Sequence, residues 1–596
     1  MSVLDRIERL RNVMEQQKID CYIIPTDDYH HSEYVGDYFK FREYITGFTG
    51  SAGTAVFTKD KAGLWTDGRY FIQAEAQLKG SGITLYKSGE SDVPTIEEFL
   101  KSELKEGDVL GFDGRTVTYA QGKRYCHIAD ENGASLKYSL DFAQNIWKER
   151  PEMSMESVFS LEDEYTGEKI GSKLERIREM MKENGCNAHV LSSLDDIAWL
   201  LNIRGNDIAY CPLVLSYAIV YNNSVELFAD IRKFSDDIIN LLAENQVKIY
   251  PYEDIYRKVS EMTSEDKLLL DSAIMNYSLY QAISKETVIV DKQNPEILMK
   301  SVKNETQAEN LRKAHLKDAV AHTKFMYWLK KNIGRVEITE LSASARLEGL
   351  RAEQEHFLGP SFGPISAYGE HGAIVHYSAD EKSNVPLKEG KLFMTDTGGH
   401  YLEGSTDITR TVALGEVGNI EKEHFTLVAR AMLRLANTVF LYGCSGANLD
   451  CIAREVFWKE GLNFNHGTGH GVGYLLNIHE GPINFRWKEG ERPAPALEEN
   501  MVITDEPGIY IEGSHGIRLE NELLVRKTVK NEYGQFMNFE ILTYVPIDLD
   551  AILPEKMSTE EKEMLNHYHK QVYEKVSPYL SEEERIWLKE YTRAVK

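Results

Sequence analysis

The apolar positions change their period several times along the chain. Between residues 5 and 18, Ile7, Leu10, Val13 and Met14 recur at helical spacing, which predicts an amphipathic helix. Cys21–Ile24 is a short apolar run stopped by Pro25, the pattern of a buried strand. Thr54–Thr58 is the next predicted strand, and Trp65–Phe71 reads as a turn entering a helix. The pattern then returns. Glu8-Arg9-Leu10-Arg11 and Cys21–Ile24 match Glu175-Arg176-Ile177-Arg178 and Ala188–Leu191, both 167 residues later. A constant offset implies an internal duplication, so two similar α/β domains are expected, ending near residues 155 and 300. The acidic, weakly patterned Pro151–Lys169 is the expected linker.

From Lys300 the pattern is different. Leu311, Ala314, Ala321, Phe325 and Trp328 line one face of a long helix over Asn304–Lys331, and a second helix is expected over Ile338–Glu355. Strands are expected at Gly372–Tyr377, Lys391–Thr397 and Ser405–Val412. Helices near Glu421–Tyr442 and Leu449–Glu460 precede further strands at Met501–Thr504, Gly516–Glu520 and Glu522–Val525. The tail, Ser558–Ala594, is charged and helical, with Trp587 and Leu588 as docking residues.

A chain of 596 residues is too long for one core and splits into domains. Its 42% hydrophobic and 27% charged residues are ordinary for a globular protein. Lys and Arg number 68 against 94 Asp and Glu, a formal charge of −26. That balance argues against nucleic acid as a partner and against an anionic membrane surface. Six cysteines without close pairing are not a disulfide framework, the first residues lack an apolar signal core, and no window is long and apolar enough to span a membrane. A reducing cytoplasm is the expected address. The glycine-rich Gly47–Gly53 lacks the Lys and Ser/Thr of a phosphate loop and reads as a tight turn.

The candidate chemistry lies between Lys391 and Glu520. Asp396 stands in Thr395-Asp396-Thr397-Gly398-Gly399, Asp407 in Thr406-Asp407-Ile408-Thr409, and His470 in His466-Gly467-Thr468-Gly469-His470-Gly471. Glu506 stands in Asp505-Glu506-Pro507-Gly508, and Glu520 in Arg518-Leu519-Glu520-Asn521. Asp396 and Asp407 are 11 apart, which on one strand would oppose them. A turn through Gly398–Gly404 restores a common face, because residues opposite one another in an antiparallel pair point the same way. Glu506 and Glu520, 14 apart, repeat the arrangement. Four carboxylates cannot share a cavity without compensating charge, so two divalent cations are implied. Oxygen donors with a single imidazole suit Mn²⁺, Co²⁺ or a catalytic Zn²⁺. Such a pair lowers the pKa of a shared water and polarises a carbonyl, which is hydrolase chemistry.

This order of Asp, Asp, His, Glu and Glu resembles the pita-bread metallopeptidases of family M24. Within them the chain is similar to the three-domain, cytosolic-type Xaa-Pro aminopeptidases (aminopeptidase P). Gly50–Gly53, Trp65–Phe71, Lys303-Asn304-Glu305, Arg312–His315 with Asp318-Ala319, and Thr543–Ile547 share the likeness, which covers essentially the whole chain. The resemblance implies two creatinase-like α/β domains, 1–155 and 156–302, before a catalytic pita-bread domain, 303–596, whose helical extension starts near 545. It implies that Asp396 chelates one ion, that His470 and Glu506 bind the other, and that Asp407 and Glu520 bridge both, with Glu506 also shuttling protons. It gives His376, His466 and His479 roles in holding substrate and stabilising the tetrahedral intermediate. It also implies that Arg518 pairs with a ligand carboxylate and that Tyr510 and Arg69 contact substrate. The chain departs from the family at Glu370-His371, before Gly372. The implied activity releases the first residue from peptides with proline second, in a homodimer. A dipeptide-cleaving prolidase and a non-catalytic pita-bread binding module are the alternatives.

Overall fold

The computed structural model describes residues 1–488, 490 and 492–596. It divides into two units, one of Met1–Leu161 with Glu168–Ile297 and one of Glu162–Gly167 with Leu298–Lys596.

The first unit holds two six-stranded sheets. The predicted first helix is Val3–Gln17, opened by a capping box between Ser2 and Asp5, with Ile7, Leu10 and Met14 buried. It leads into the strand Cys21–Pro25, antiparallel to Thr54–Thr58 and parallel to Val109–Phe112. The helix Ile170–Glu183 and strand Ala188–Leu191 repeat this. Their strand is antiparallel to Tyr217–Tyr221 and parallel to Lys267–Leu270. The outer strands also correspond. Ala62–Thr66 and Val225–Phe228 each pair antiparallel on one side and parallel on the other. Each sheet closes on a parallel edge strand, Ser135–Lys137 or Val288–Asp291. Both copies thus have the same order and the same directions. The Gly47–Gly53 turn is fixed by the buried Arg42, which donates to the carbonyls of Phe48 and Gly50.

The second unit is built on the helix Glu305–Asn332, capped by Asn304 and Gln307 in a reciprocal box. Leu311, Ala314, Ala321 and Phe325 are buried as the spacing predicts, while Trp328 is half-buried. The same helix also buries His315, Asp318 and His322. The second predicted helix is Glu340–Ala352. The sheets are three-stranded, three-stranded, six-stranded and two-stranded. Their apolar faces meet helices Asn419–Ala436 and Gly446–Trp458 in one continuous core. The tail helices Thr559–Val576 and Glu582–Tyr591 join that core through Leu565, Val572 and Leu588, with Trp587 edge-on to Tyr327.

Two expectations are corrected. Gly372–Tyr377 is not a strand. Gly369–Ala373 is a short 3₁₀ helix, and the chain then turns. The cause is Glu340, fully buried, whose carboxylate accepts from Tyr368 N–H at 2.7 Å, from Tyr377 OH at 2.9 Å and stands 2.8 Å from His371 Nδ1. Gathering three groups around one buried carboxylate curls the segment, and it gives His371 its partner. Nor is Pro151–Lys169 a bare linker. It contains the strand Phe159–Ser160 and the helix Asp163–Thr166. Asn310 and Asn304 donate at 2.8 Å to the carbonyls of Glu164 and Thr166, which ties that short helix to the long one.

Candidate metal centre

Register places the carboxylates. The strands Lys391–Thr397 and Ile408–Leu414 pair antiparallel, with Asp396 opposite Thr409. Asp407 lies just before the second strand, two residues from Thr409, and so shares the face of Asp396. Between them the chain leaves this sheet and forms Gly399–Tyr401 and Gly404–Ser405 in another. Gly398 is required at the crossing, since a Cβ there would stand 1.8 Å from the Thr406 carbonyl oxygen. On the other side, Asp505 pairs with Asn521 and Gly508 with Arg518. One register runs through both pairs and sets Glu506 against Glu520. His470 lies on the short strand Gly469–Gly471, its N–H on Thr504 Oγ1 at 3.0 Å. A Cβ on Gly469 would meet the Thr504 carbonyl at 1.9 Å, so the strands close up only with glycine there.

These elements bring six side chains together in three overlapping groups. Asp396, Asp407 and Glu520 form one, His470, Glu506 and Glu520 a second, and Asp407, His470 and His479 a third, with ligand atoms within 4.8 Å of one another in each. Asp396, Asp407 and Glu520 are buried and floor the site; His470, His479 and Glu506 are half-buried at its open side. His470 Nδ1 lies 2.9 Å from the Gly471 carbonyl, which makes it the N–H nitrogen. Nε2 then carries its lone pair toward Asp407 Oδ2 at 3.5 Å and Glu506 Oε1 at 3.7 Å. Asp396 Oδ2 accepts from Arg518 Nε at 3.1 Å and from Nη2, while Oδ1 is buried without a partner.

Burial pushes the Asp407 carboxyl up to about 7, and Asp396 adds to the shift. Burial, then Asp407, Asp396 and Glu506, holds Glu520 well above the usual carboxylate range; burial also raises Glu506. Such crowding is relieved by cations. The orphaned Asp396 Oδ1, the His470 Nε2 turned toward Asp407 and Glu506 and the oxygen-rich donor set all fit a pair of divalent ions.

A directed chain of hydrogen bonds borders the carboxylates. Arg518 Nη1 donates to Tyr510 OH at 2.7 Å, and Tyr510 OH lies 2.8 Å from His466 Nε2. His466 Nδ1 lies 2.7 Å from the Gly467 carbonyl. Burial pushes His466 down to about 3, so its imidazole is neutral: Nδ1–H donates to Gly467 and Nε2 accepts from Tyr510. Burial raises Tyr510 to about 12, so it keeps its proton. In this arrangement His466 is an acceptor, and its link to the carboxylates runs through Tyr510 and Arg518.

The half-buried His376 lies outside the three groups, beside Val375, whose carbonyl is 3.4 Å from Arg518 Nη1 and Nη2. His479 joins Asp407 and His470 in the third group, its ring edge-on to His470 at 4.3 Å between centroids. Arg69 lies in the first unit with its guanidinium forked on Asp67 at 2.8 Å. Sequence reasoning missed Thr409, whose hydroxyl donates to Glu520 Oε2 at 2.8 Å and lies 3.3 Å from Arg518 Nε. It also missed the buried Glu522, which accepts the Asp407 N–H at 2.6 Å. Each stands two residues from a ligand carboxylate on a β-type segment, a spacing that shares a face.

Comparison with known proteins agrees with this geometry. The model of metallopeptidase family M24 matches residues 309–527, and that of its C-terminal region matches 535–595. Creatinase/prolidase N-terminal domain models match twice, over 6–137 and 149–307. Xaa-Pro aminopeptidase 1 of Dictyostelium discoideum is 36% identical over 97% of this chain and 94% of that protein. Aminopeptidase P1 of Arabidopsis thaliana is 34% identical over 99% of both. Among solved structures, X-prolyl aminopeptidase from Caenorhabditis elegans, described as a cytosolic enzyme with a di-nuclear active site, superposes with a TM-score of 0.95 at 33% identity over 100% of both chains. A Xaa-Pro dipeptidase from Bacillus anthracis shares the fold over 64% of this chain, at 24% identity and a TM-score of 0.50. The full-length relatives and the M24 match to the segment carrying the clustered carboxylates lead to one assignment: the chain belongs to the Xaa-Pro aminopeptidase (aminopeptidase P) family of M24 metallopeptidases, hydrolases of peptide bonds.

Proposed function

We propose that this chain releases the first residue of peptides whose second residue is proline, and that Asp396, Asp407, His470, Glu506 and Glu520 hold two divalent ions. The overlap of ligand groups on shared residues carries the reading: Glu520 belongs both to the group of Asp396 and Asp407 and to that of His470 and Glu506, so it is the carboxylate that two ions would share. When bound, the ions supply the charge that acidifies water and polarises a carbonyl. Mn²⁺ is the expected metal for this donor set, with Co²⁺ and Zn²⁺ able to replace it.

The side chains do the rest. Asp396, held by Arg518 through Oδ2, has its buried Oδ1 left to bind an ion. Glu506, half-buried, takes a proton at its carboxylate and passes it to the departing proline nitrogen. That nitrogen carries no hydrogen in the intact bond, so it must gain one to leave as an amine. His479 and His376 contact the substrate carbonyl from the open side. Tyr510, aligned by Arg518, holds His466 in the acceptor state. None of the six cysteines is in a disulfide, and three of them are buried; among the described residues no helix is long and apolar enough to cross a membrane. A cytoplasmic address suits these features, and the homodimer is tested by sedimentation.

The experiment is hydrolysis of Arg-Pro-Pro and Ala-Pro with added Mn²⁺, alongside elemental analysis. Free arginine from the tripeptide and about two metal ions per chain are expected. Activity on the dipeptide alone would make it a prolidase. Neither activity nor metal would make it a binding module.

A further inference from the structure

We infer that Glu522, backed by His315, is a positioning residue for the metal ligand Asp407. The inference rests on the ligand set proposed above. Asp407 sits outside the ladder that begins at Ile408, so its amide needs another acceptor. Glu522 Oε1 supplies it at 2.6 Å. The other carboxylate oxygen lies 3.1 Å from His315 Nε2, at ion-pair distance though not aligned as a hydrogen bond, and both side chains are 0% exposed. Glu522 itself has little freedom. It lies opposite Thr504 in the sheet; its N–H donates to Thr543 Oγ1 at 2.9 Å and its carbonyl accepts from Leu542 N–H at 2.9 Å. Thr504 in turn receives the His470 N–H and lies 3.4 Å from Glu506 Oε1.

The residue therefore joins two halves of the site that come from separate strand pairs. Asp396 lies in one strand pair and Asp407 immediately before it, while Glu506 and Glu520 follow directly on the pairing of Asp505 with Asn521 in the other. A further buried carboxylate beside the ligand carboxylates is unfavourable unless it is hydrogen-bonded or paired, and Glu522 has the Asp407 N–H on one oxygen and His315 by the other. Here it turns the Asp407 backbone so that its carboxylate meets Glu520 and His470. His315, on the long helix, steadies Glu522 from behind. Glu522 meets Asp407 through the backbone amide, so its effect is read in metal binding before turnover.

The test uses the full chain stripped of metal, titrated with Co²⁺ and followed by calorimetry and by the cobalt visible spectrum. Glu522→Met keeps the volume and removes the acceptor. Glu522→Asp keeps the charge but withdraws it by about 1.5 Å, one carbon–carbon bond. Both should weaken one cobalt-binding step about 10- to 100-fold, the usual effect of losing a ligand's outer partner, and shift the spectrum. Glu522→Gln keeps an acceptor oxygen and should bind within about threefold of wild type. If Glu522→Met does not fold, Glu522→Asp carries the test. Wild-type affinity and spectrum in the Met or Asp variant would overturn the inference, whatever the melting temperature of the metal-free protein does. So would a Gln variant as weak as the Met variant, because the acceptor would then not be what matters. Failure of the wild-type chain itself to bind cobalt would overturn the ligand set and this inference with it.

Discussion

Replacing Arg518 by lysine separates the two jobs its guanidinium does. The fork places Nε and Nη2 on Asp396 and Nη1 on Tyr510 OH at 2.7 Å. A lysine ammonium is a single point and cannot serve both partners. It will stay with the carboxylate and leave Tyr510 unanchored. A hydrogen bond to a charged group contributes about 1.5–3 kcal/mol, so kcat/KM on Arg-Pro-Pro should fall roughly 10- to 150-fold. Metal content should hold, because Asp396 keeps a cation. The decisive assay is a double-mutant cycle. Tyr510→Phe removes the same bond from the other end, so it should cost little more in the Arg518→Lys background than that variant already loses. Costs that add within about 0.5 kcal/mol would mean the two residues act independently, and the relay from Arg518 through Tyr510 to His466 would be refuted. An Arg518→Lys enzyme within threefold of wild type would refute it equally.

The remaining predictions follow from the same geometry. Chelation should abolish activity, and restoring metal at about a hundred times its Kd should raise stability by about 2.7 kcal/mol, read as a rise of several degrees in melting temperature. Gly469→Ala places a Cβ 1.9 Å from the Thr504 carbonyl and should destabilise the fold by at least about 1–3 kcal/mol, with metal content below wild type by elemental analysis. His569 is fully buried, its Nε2 accepting from Ile547 N–H at 3.1 Å. Burial, reinforced by Arg410, pushes it down to about 3. The unfolded chain takes up a proton near pH 6.5 that the folded chain refuses, so this site's stability is present above that pH and lost as pH falls toward 3. Between pH 7.5 and 5 the loss is about 2 kcal/mol, and His569→Gln should lack that part of the fall in urea unfolding; an unchanged pH dependence would show that His569 titrates normally.

What the sequence discloses here follows from how local each cause is. The duplicated helix and strand were legible at offset 167 because helical and extended periodicities are written within a few residues of each other. They reappear as Val3–Gln17 with Cys21–Pro25 and as Ile170–Glu183 with Ala188–Leu191. Gly372–Tyr377 was illegible because Glu340, on an earlier helix, bends it. The same division runs through the site. Asp396, Asp407, His470, Glu506 and Glu520 stand in short motifs, and the glycines beside Asp396 and His470 have a local reason to be there, at Gly398 and Gly469 a carbonyl within 2 Å of any added Cβ. Their supporting partners have no such motif. Thr409 acts on Glu520 across a strand pair, Glu522 acts on the Asp407 amide, and His315 reaches Glu522 from a helix far earlier in the chain. A metal ligand constrains its own neighbours, because the strands that carry it must close up around the site. A residue that orients a ligand needs only to arrive at the right atom, and any fold path that delivers it will do. The chemistry is therefore readable one motif at a time, whereas the support that tunes it can be read only once register has brought the strands together.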